Sequence, residues 1–272
     1  MKYYLKLLIQ QSQETFKINE LSKSEKNGAF DHISFFKFFK GSSIEVPFSL
    51  GRTIRGSAFH NVNIDPFSKC LSNQDLLNFD ENRFANELLD FYLIEKHQKV
   101  ADFINISNRV IQKMPSWAIA YPWEDLGFYQ LHDCYLKILK ENRIDYLETV
   151  EPAGLKKDQY SFDYAKSHAK QFNNLIQKIS EEGFNTSLTR PKIYVLKNKD
   201  NWRWCMAGDG NHRAYIMSSL KSLTLPVRIT KIVDRSKSNK WANVVNGEYT
   251  QREAEDIFDT VFKGDSCIRG CF

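Results

Sequence analysis

From Phe162 to Ile179 the apolar residues fall at Phe162, Ala165, Ala169, Phe172, Leu175, Ile176 and Ile179, a spacing that places them on one face of a helix. Glu182-Gly183 supplies a stop, because glycine accepts the left-handed backbone on which helices end. The pattern then changes. Pro191-Lys192-Ile193-Tyr194-Val195-Leu196 is rich in β-branched and aromatic residues and predicts a strand. Asn198-Lys199-Asp200-Asn201 reads as a turn, and Trp202-Arg203-Trp204-Cys205-Met206 as a second, buried strand. Arg213 to Leu220 opens a helix, and Leu225-Pro226-Val227-Arg228-Ile229 reads as one more short strand. Nearer the N-terminus, Arg83 to Lys99 is an amphipathic helix with Phe84, Leu88, Phe91 and Tyr92 on one face. Leu126 to Lys140 is a second, carrying Leu131, Tyr135, Ile138 and Leu139. Met1 to Lys17 alternates loosely, as a strand would. The run His32 to Lys40, with Phe35, Phe36, Phe38 and Phe39, fits a core or, alternatively, a stacking surface.

Between the second strand and the helix after it lies Ala207-Gly208-Asp209-Gly210-Asn211-His212-Arg213-Ala214. A strand, a glycine turn and a helix start point backbone N–H groups and the positive helix end at whatever occupies the turn, which favours phosphate. Gly208 and Gly210 allow positive φ and close approach of a ligand. Asp209 suits a metal or a hydroxyl, His212 a proton exchanged near neutrality, and Arg213 an oxyanion clamp. Asp-Gly and Gly-Asn are also ordinary turn dipeptides, so a plain structural turn is the competing reading.

Two further segments carry candidate chemistry. Ser49 to His60 combines Gly51, Gly56, Arg52 and Arg55 with small hydroxyl residues, a composition that suits an anion-binding loop or a plain surface loop. Met114 to Asp125 brackets Trp117, Tyr121 and Trp123 between prolines, which suits either a ligand-pocket wall or a buried plug between domains. Glu124-Asp125 beside it offers a catalytic carboxylate.

The composition is that of an ordinary globular chain: 272 residues, 42% hydrophobic and 26% charged, with a net charge of +5. That charge is too small for nucleic-acid binding to be expected. The one basic cluster, Lys221, Arg228, Lys231, Arg235, Lys237 and Lys240, follows the glycine turn and either funnels an anion toward it or forms a solvated loop. Five irregularly spaced cysteines, at 70, 134, 205, 267 and 271, suggest no disulfide framework and fit a reducing compartment. The six histidines show no metal-ligand spacing. With no signal-peptide pattern in Met1 to Gln13 and no long apolar run, no membrane is expected and a cytoplasmic location is.

The order helix, Gly183, strand Pro191-Lys192-Ile193-Tyr194-Val195, box Asp209-Gly210-Asn211-His212-Arg213, helix, strand Leu225-Pro226-Val227 resembles the ParB/sulfiredoxin superfamily over roughly residues 145 to 232. The branches differ at the box. Sulfiredoxins carry a catalytic cysteine where this chain has Asn211, and the chromosome-partitioning ParB proteins carry Arg-Arg at His212-Arg213 and a following helix-turn-helix that is not evident here. The free-serine kinases carry D-G-H-H-R, from which the chain departs only at Asn211. The resemblance implies an α+β fold, with a ParB/sulfiredoxin-like domain over residues 141–272 packed on a mixed, largely helical N-terminal region over residues 1–140, and the ligand cleft between them. It implies a nucleotide-dependent phosphotransferase, an ATP-dependent kinase acting on a small hydroxylated metabolite such as an amino acid or sugar. Gly208, Gly210, Asn211 and Arg213 would bind the substrate or the nucleotide, with Arg52 and Arg55 as further anion-binding candidates. Catalysis would fall to Asp209, which would also hold Mg²⁺, to His212, and to Glu151 as base, with Glu148 as its competitor. The alternatives are a non-catalytic nucleotide-binding or DNA-associated ParB-like protein, or an accessory protein that keeps the fold without the catalysis.

Overall fold

In a computed structural model of the chain, residues 43–95, 98–130, 161–184 and 190–269 are described. The expectations for Met1–Lys17, His32–Lys40 and Glu151 lie outside these residues, as does the helix of Leu126–Lys140 from residue 131 onward.

The long helix forms as its periodicity requires. α3 (Phe162–Glu182) begins where the Ser161 side chain accepts the Tyr164 N–H, and it ends at Gly183, whose φ is 77°. Its Ala165, Ala169, Phe172, Ile176 and Ile179 are buried. The same stripe logic builds α2 (Glu81–Glu95), which buries Phe84, Ala85, Leu88 and Tyr92 and packs along α3. The short α1 (Pro66–Ser72) precedes it, capped by the Asp65 side chain on the N–H groups of Phe67 and Ser68.

Beyond α3 the chain runs through β3 (Lys192–Asn198) and β4 (Asn201–Met206), an antiparallel hairpin with Lys199 at φ 53° in its turn. α4 (Asn211–Ser219) then carries the chain to β5 (Thr224–Asp234), which pairs parallel to β3. Strand β5 extends well past the expected Leu225–Ile229, because it stays paired with β3 as far as Asp234. The sheet is completed from far upstream. β1 (Ser43–Pro47) pairs antiparallel with β5, and the two-residue β2 (Gly51–Arg52) pairs parallel with β4, giving the order β1-β5-β3-β4-β2. The protein is therefore α+β with a mixed five-stranded sheet.

Gly41–Phe272 forms one compact unit, whose sheet takes strands from residues 43–52 and from residues 192–234. Alternation along β4 sends Cys205 to one face and Trp204 to the other. On the first face Leu196, Cys205 and Val233 pack with Tyr121, Trp123, Phe128, Trp241 and α5 (Gln251–Lys263). On the second, ring contacts run from Phe48 and Phe59 through Trp204 and Tyr215 to Phe67, Phe172 and Phe84. Each such ring taken fully from water contributes roughly 1.5–3 kcal/mol. No helix among the described residues is long and apolar enough to cross a membrane.

Candidate functional site

The turn between β4 and α4 is where the sheet, the helix start and several charged side chains converge. Gly210 is the N-cap of α4 with φ 93°, and no side chain caps the helix. The position demands glycine twice over: the φ is left-handed, and a Cβ there would meet Pro191 Cα at 2.6 Å. Gly208, at φ 112°, opens onto free space. The turn is fastened to the start of β3 by Lys192 N–H to the Asp209 carbonyl (3.1 Å) and Ala207 N–H to the Lys192 carbonyl (2.9 Å). The helix begins at Asn211, two residues before the expected start, because Gly210 rather than a side chain sets the entry.

Asp209 lies at the surface, its side chain 63% exposed, and pairs with Lys192 Nζ at 2.6 Å. Arg213 lies over the Phe184 ring at 5.9 Å. Burial lowers its pKa, and nearby Asp209 opposes that shift. The carboxamide Oδ1 of Asn211 is buried with no hydrogen-bond partner among the described residues. Gly208, Asp209, Gly210, Asn211 and Arg213 thus share one turn. Sequence reasoning missed Lys192 as a site residue; its neighbour in register, Arg228 on β5, belongs to the basic cluster named from the sequence. The signal for Lys192 was indirect, its place beside Pro191 at the start of β3.

His212 departs from the expectation. Its ring turns away from Asp209 into the aromatic layer, 4.6 Å from Phe172 and 5.7 Å from Phe67. Burial lowers its pKa to about 4, so it stays neutral near pH 7 instead of exchanging a proton there. First-turn residues of a helix diverge around its axis, and here the apolar side wins the imidazole.

Arg52 and Arg55 do not line a ligand loop either. Arg52, 3% exposed, donates to the carbonyls of Val261 (3.0 Å), Phe262 (2.6 Å) and Lys263 (3.1 Å), closing the C-terminal end of α5. Its pKa is lowered to about 10, first by burial and then by Arg203. Arg55, 2% exposed, lies over Phe91 at 4.9 Å and faces Asp65. Burial raises the Asp65 pKa and Arg55 opposes the rise, while Tyr215 of α4 donates its hydroxyl to Asp65 at 2.8 Å. The segment 51–58 is inner framework because the rest of the chain closes over it.

The aromatic segment 114–125 is also interior. Tyr121 and Trp123 stack at 4.9 Å and 7° and are fully buried, whereas the Trp117 side chain lies outside the described residues. Glu124 pairs with buried Arg269 and Asp125 with Lys231, so neither stands beside the turn as a free carboxylate. Cys205 is fully buried with its thiol pKa pushed up to about 12 by burial, which suits a small apolar side chain and not a nucleophile. Among the described residues no three His, Cys, Asp or Glu side chains gather as a metal-holding group. Comparison with protein-family models, curated proteins and solved structures finds no match to this chain.

Proposed function

We propose that this chain is a ParB/sulfiredoxin-like protein that binds nucleotide phosphates at Gly208–Arg213 and transfers a phosphoryl group to a small hydroxylated metabolite. The observation that carries the reading is the left-handed Gly210 cap. It leaves α4 without a side-chain acceptor at its N-terminus, beside open space at Gly208 and between the cations Lys192 and Arg213. An anion there gains backbone N–H groups, the positive helix end and charge-assisted hydrogen bonds together. Mg²⁺ would arrive on the nucleotide, with Asp209 as its protein oxygen, since this ion ordinarily takes one or two carboxylates and keeps water and phosphate as other ligands. For that, Asp209 must leave Lys192, which in turn becomes a phosphate partner. Arg213 would neutralise charge as the phosphoryl group moves. Glu151 keeps the base role that the resemblance implies.

A second reading, nucleotide binding without catalysis, draws on one observation: His212 is neutral and walled by rings, so it supplies no acid or base near pH 7. Two measurements separate the readings. Thermal-shift titration with ATP, ADP, CTP and GTP in the presence of Mg²⁺ is expected to raise the melting midpoint, with about 2.7 kcal/mol of stabilisation at a hundredfold excess over Kd. Phosphorus NMR with a panel of hydroxylated amino acids and sugars is expected to show loss of the γ-phosphate to an acceptor, abolished by Glu151→Gln. Binding without transfer selects the second reading, and the absence of binding by any nucleotide overturns both.

A further inference from the structure

α3 meets α4 through rings, and two of those rings are imidazoles. His168 of α3 and His212 of α4 lie with centroids 5.8 Å apart at 87°. Phe67 of α1 stands 6.2 Å from His168 and 5.7 Å from His212. Tyr164 lies 4.9 Å and Tyr92 of α2 6.4 Å from His168, and Phe172 closes the His212 side. Nδ1 of His168 is buried with no hydrogen-bond partner among the described residues. An imidazolium here would lose water without gaining a carboxylate, and two imidazolium rings in contact would repel each other.

We infer that His168 and His212 form an acid-sensitive latch between α3 and α4. Neutral, the two rings pack and fasten the helices; protonated, they part.

Among the described residues no carboxylate faces the pair as a counter-ion. The other titratable side chains in ring contact with it, among the described residues, are Tyr92 and Tyr164. α1 presents Phe67, behind which Tyr215 of α4 gives its hydroxyl to Asp65. Several charged side chains on the packed helices are engaged elsewhere: Lys166 of α3 with Glu81 of α2 at 3.2 Å, Arg83 with Glu87 at 3.2 Å, and Arg213 over Phe184. Burial lowers the His168 pKa to about 4, with His212 adding to the effect, and burial alone does the same for His212.

The direction of the pH effect follows. An unperturbed histidine protonates near 6.5, so between 6.5 and about 4 the parted or unfolded state binds more protons than the closed one. The latch is fully effective above pH 6.5 and weakens as the pH falls toward 4. At about pH 5 each histidine shifts the equilibrium roughly 30-fold toward the open state. The latch is independent of whether the turn binds nucleotide, because testing it needs no ligand.

The experiment is a histidine side-chain NMR titration of the full chain, joined to thermal melts from about pH 7.5 to about pH 4.5. Both imidazoles are expected to stay neutral in the folded protein below about pH 5, and the midpoint to drop steeply below about pH 6.5. His168→Gln combined with His212→Gln is expected to lose much less of its midpoint over the same range. Either imidazole titrating at 6.5 or above in the folded chain, or equal losses in wild type and double variant, would overturn the latch. Should the double variant not fold, the wild-type titration decides alone.

Discussion

Gly51-Arg52-Thr53-Ile54-Arg55-Gly56 and Gly208-Asp209-Gly210-Asn211-His212-Arg213 are similar as strings, each with two glycines and arginine in six residues. In the fold they have opposite fates. Both arginines of the first are enclosed, Arg52 against the last carbonyls of α5 and Arg55 against Asp65 and Phe91. The second stays at the surface, with Asp209 exposed and Arg213 only partly covered. Composition does not separate the two; the acceptors that distant segments deliver do. A helix C-terminus arriving at Arg52 offers orphan carbonyls in a place water does not reach, and a guanidinium satisfies several at once.

If that contrast is right, variants in the enclosed region act on stability and variants in the turn act on binding. The largest loss is expected for Asp65→Ala, which removes the carboxylate facing buried Arg55, the α1 cap and the acceptor of the Tyr215 hydroxyl. The expected loss is about 3–5 kcal/mol in urea unfolding, the range for breaking a buried pair. A loss under about 1 kcal/mol would mean that the network carries little, and the contrast would collapse. Arg52→Ala is expected to cost about 1.5–3 kcal/mol by the same measurement, and Arg52→Lys to recover only part of it, since one ammonium cannot span three carbonyls. Gly210→Ala follows at about 1–2 kcal/mol for a left-handed alanine. The Pro191 contact adds to it, so its melt should lie below that of Gly208→Ala. Arg213→Ala is expected to change unfolding by less than about 1 kcal/mol while weakening nucleotide binding by about 1.5–3 kcal/mol in calorimetry. An unstable Arg213→Ala protein of undiminished affinity would reverse its role. The smallest effect is Lys192→Ala, no more than about 0.5 kcal/mol on folding, because the pair with Asp209 is exposed.

The helical and hairpin parts of this fold were legible because their determinants are local. Phe162 to Ile179 keep one stripe, Ser161 and Gly183 bracket it, and Pro191 to Met206 reads as two strands with a turn. α5 carries equally local marks, the Thr250–Glu253 capping box and Gly264 at φ 78°, yet it was not read as a helix. What the sequence did not disclose is pairing at long range. Ser43–Pro47 has nothing in it that selects β5, and Gly51-Arg52 is too short to announce a strand. The site divides the same way. Glycines, a strand before and a helix after locate the turn, but the direction of His212 depends on Phe67 and Phe172 arriving from two other helices. The burial of Arg52 likewise depends on an α5 terminus that no residue near Arg52 foretells.

The bond from Arg52 to Val261 joins positions 209 apart in the chain. Nearby, Ala58 N–H reaches the Gly264 carbonyl and Ile268 N–H the Arg55 carbonyl. During synthesis, then, β2 leaves the ribosome long before the carbonyls that receive the Arg52 guanidinium exist. Arg52 must wait for these acceptors until α5 is complete. Loops of such length close slowly, since their entropy must be surrendered before any contact returns it. Refolding is accordingly expected to be slow for a domain of this size, with the 51–58 framework protected from amide exchange among the last.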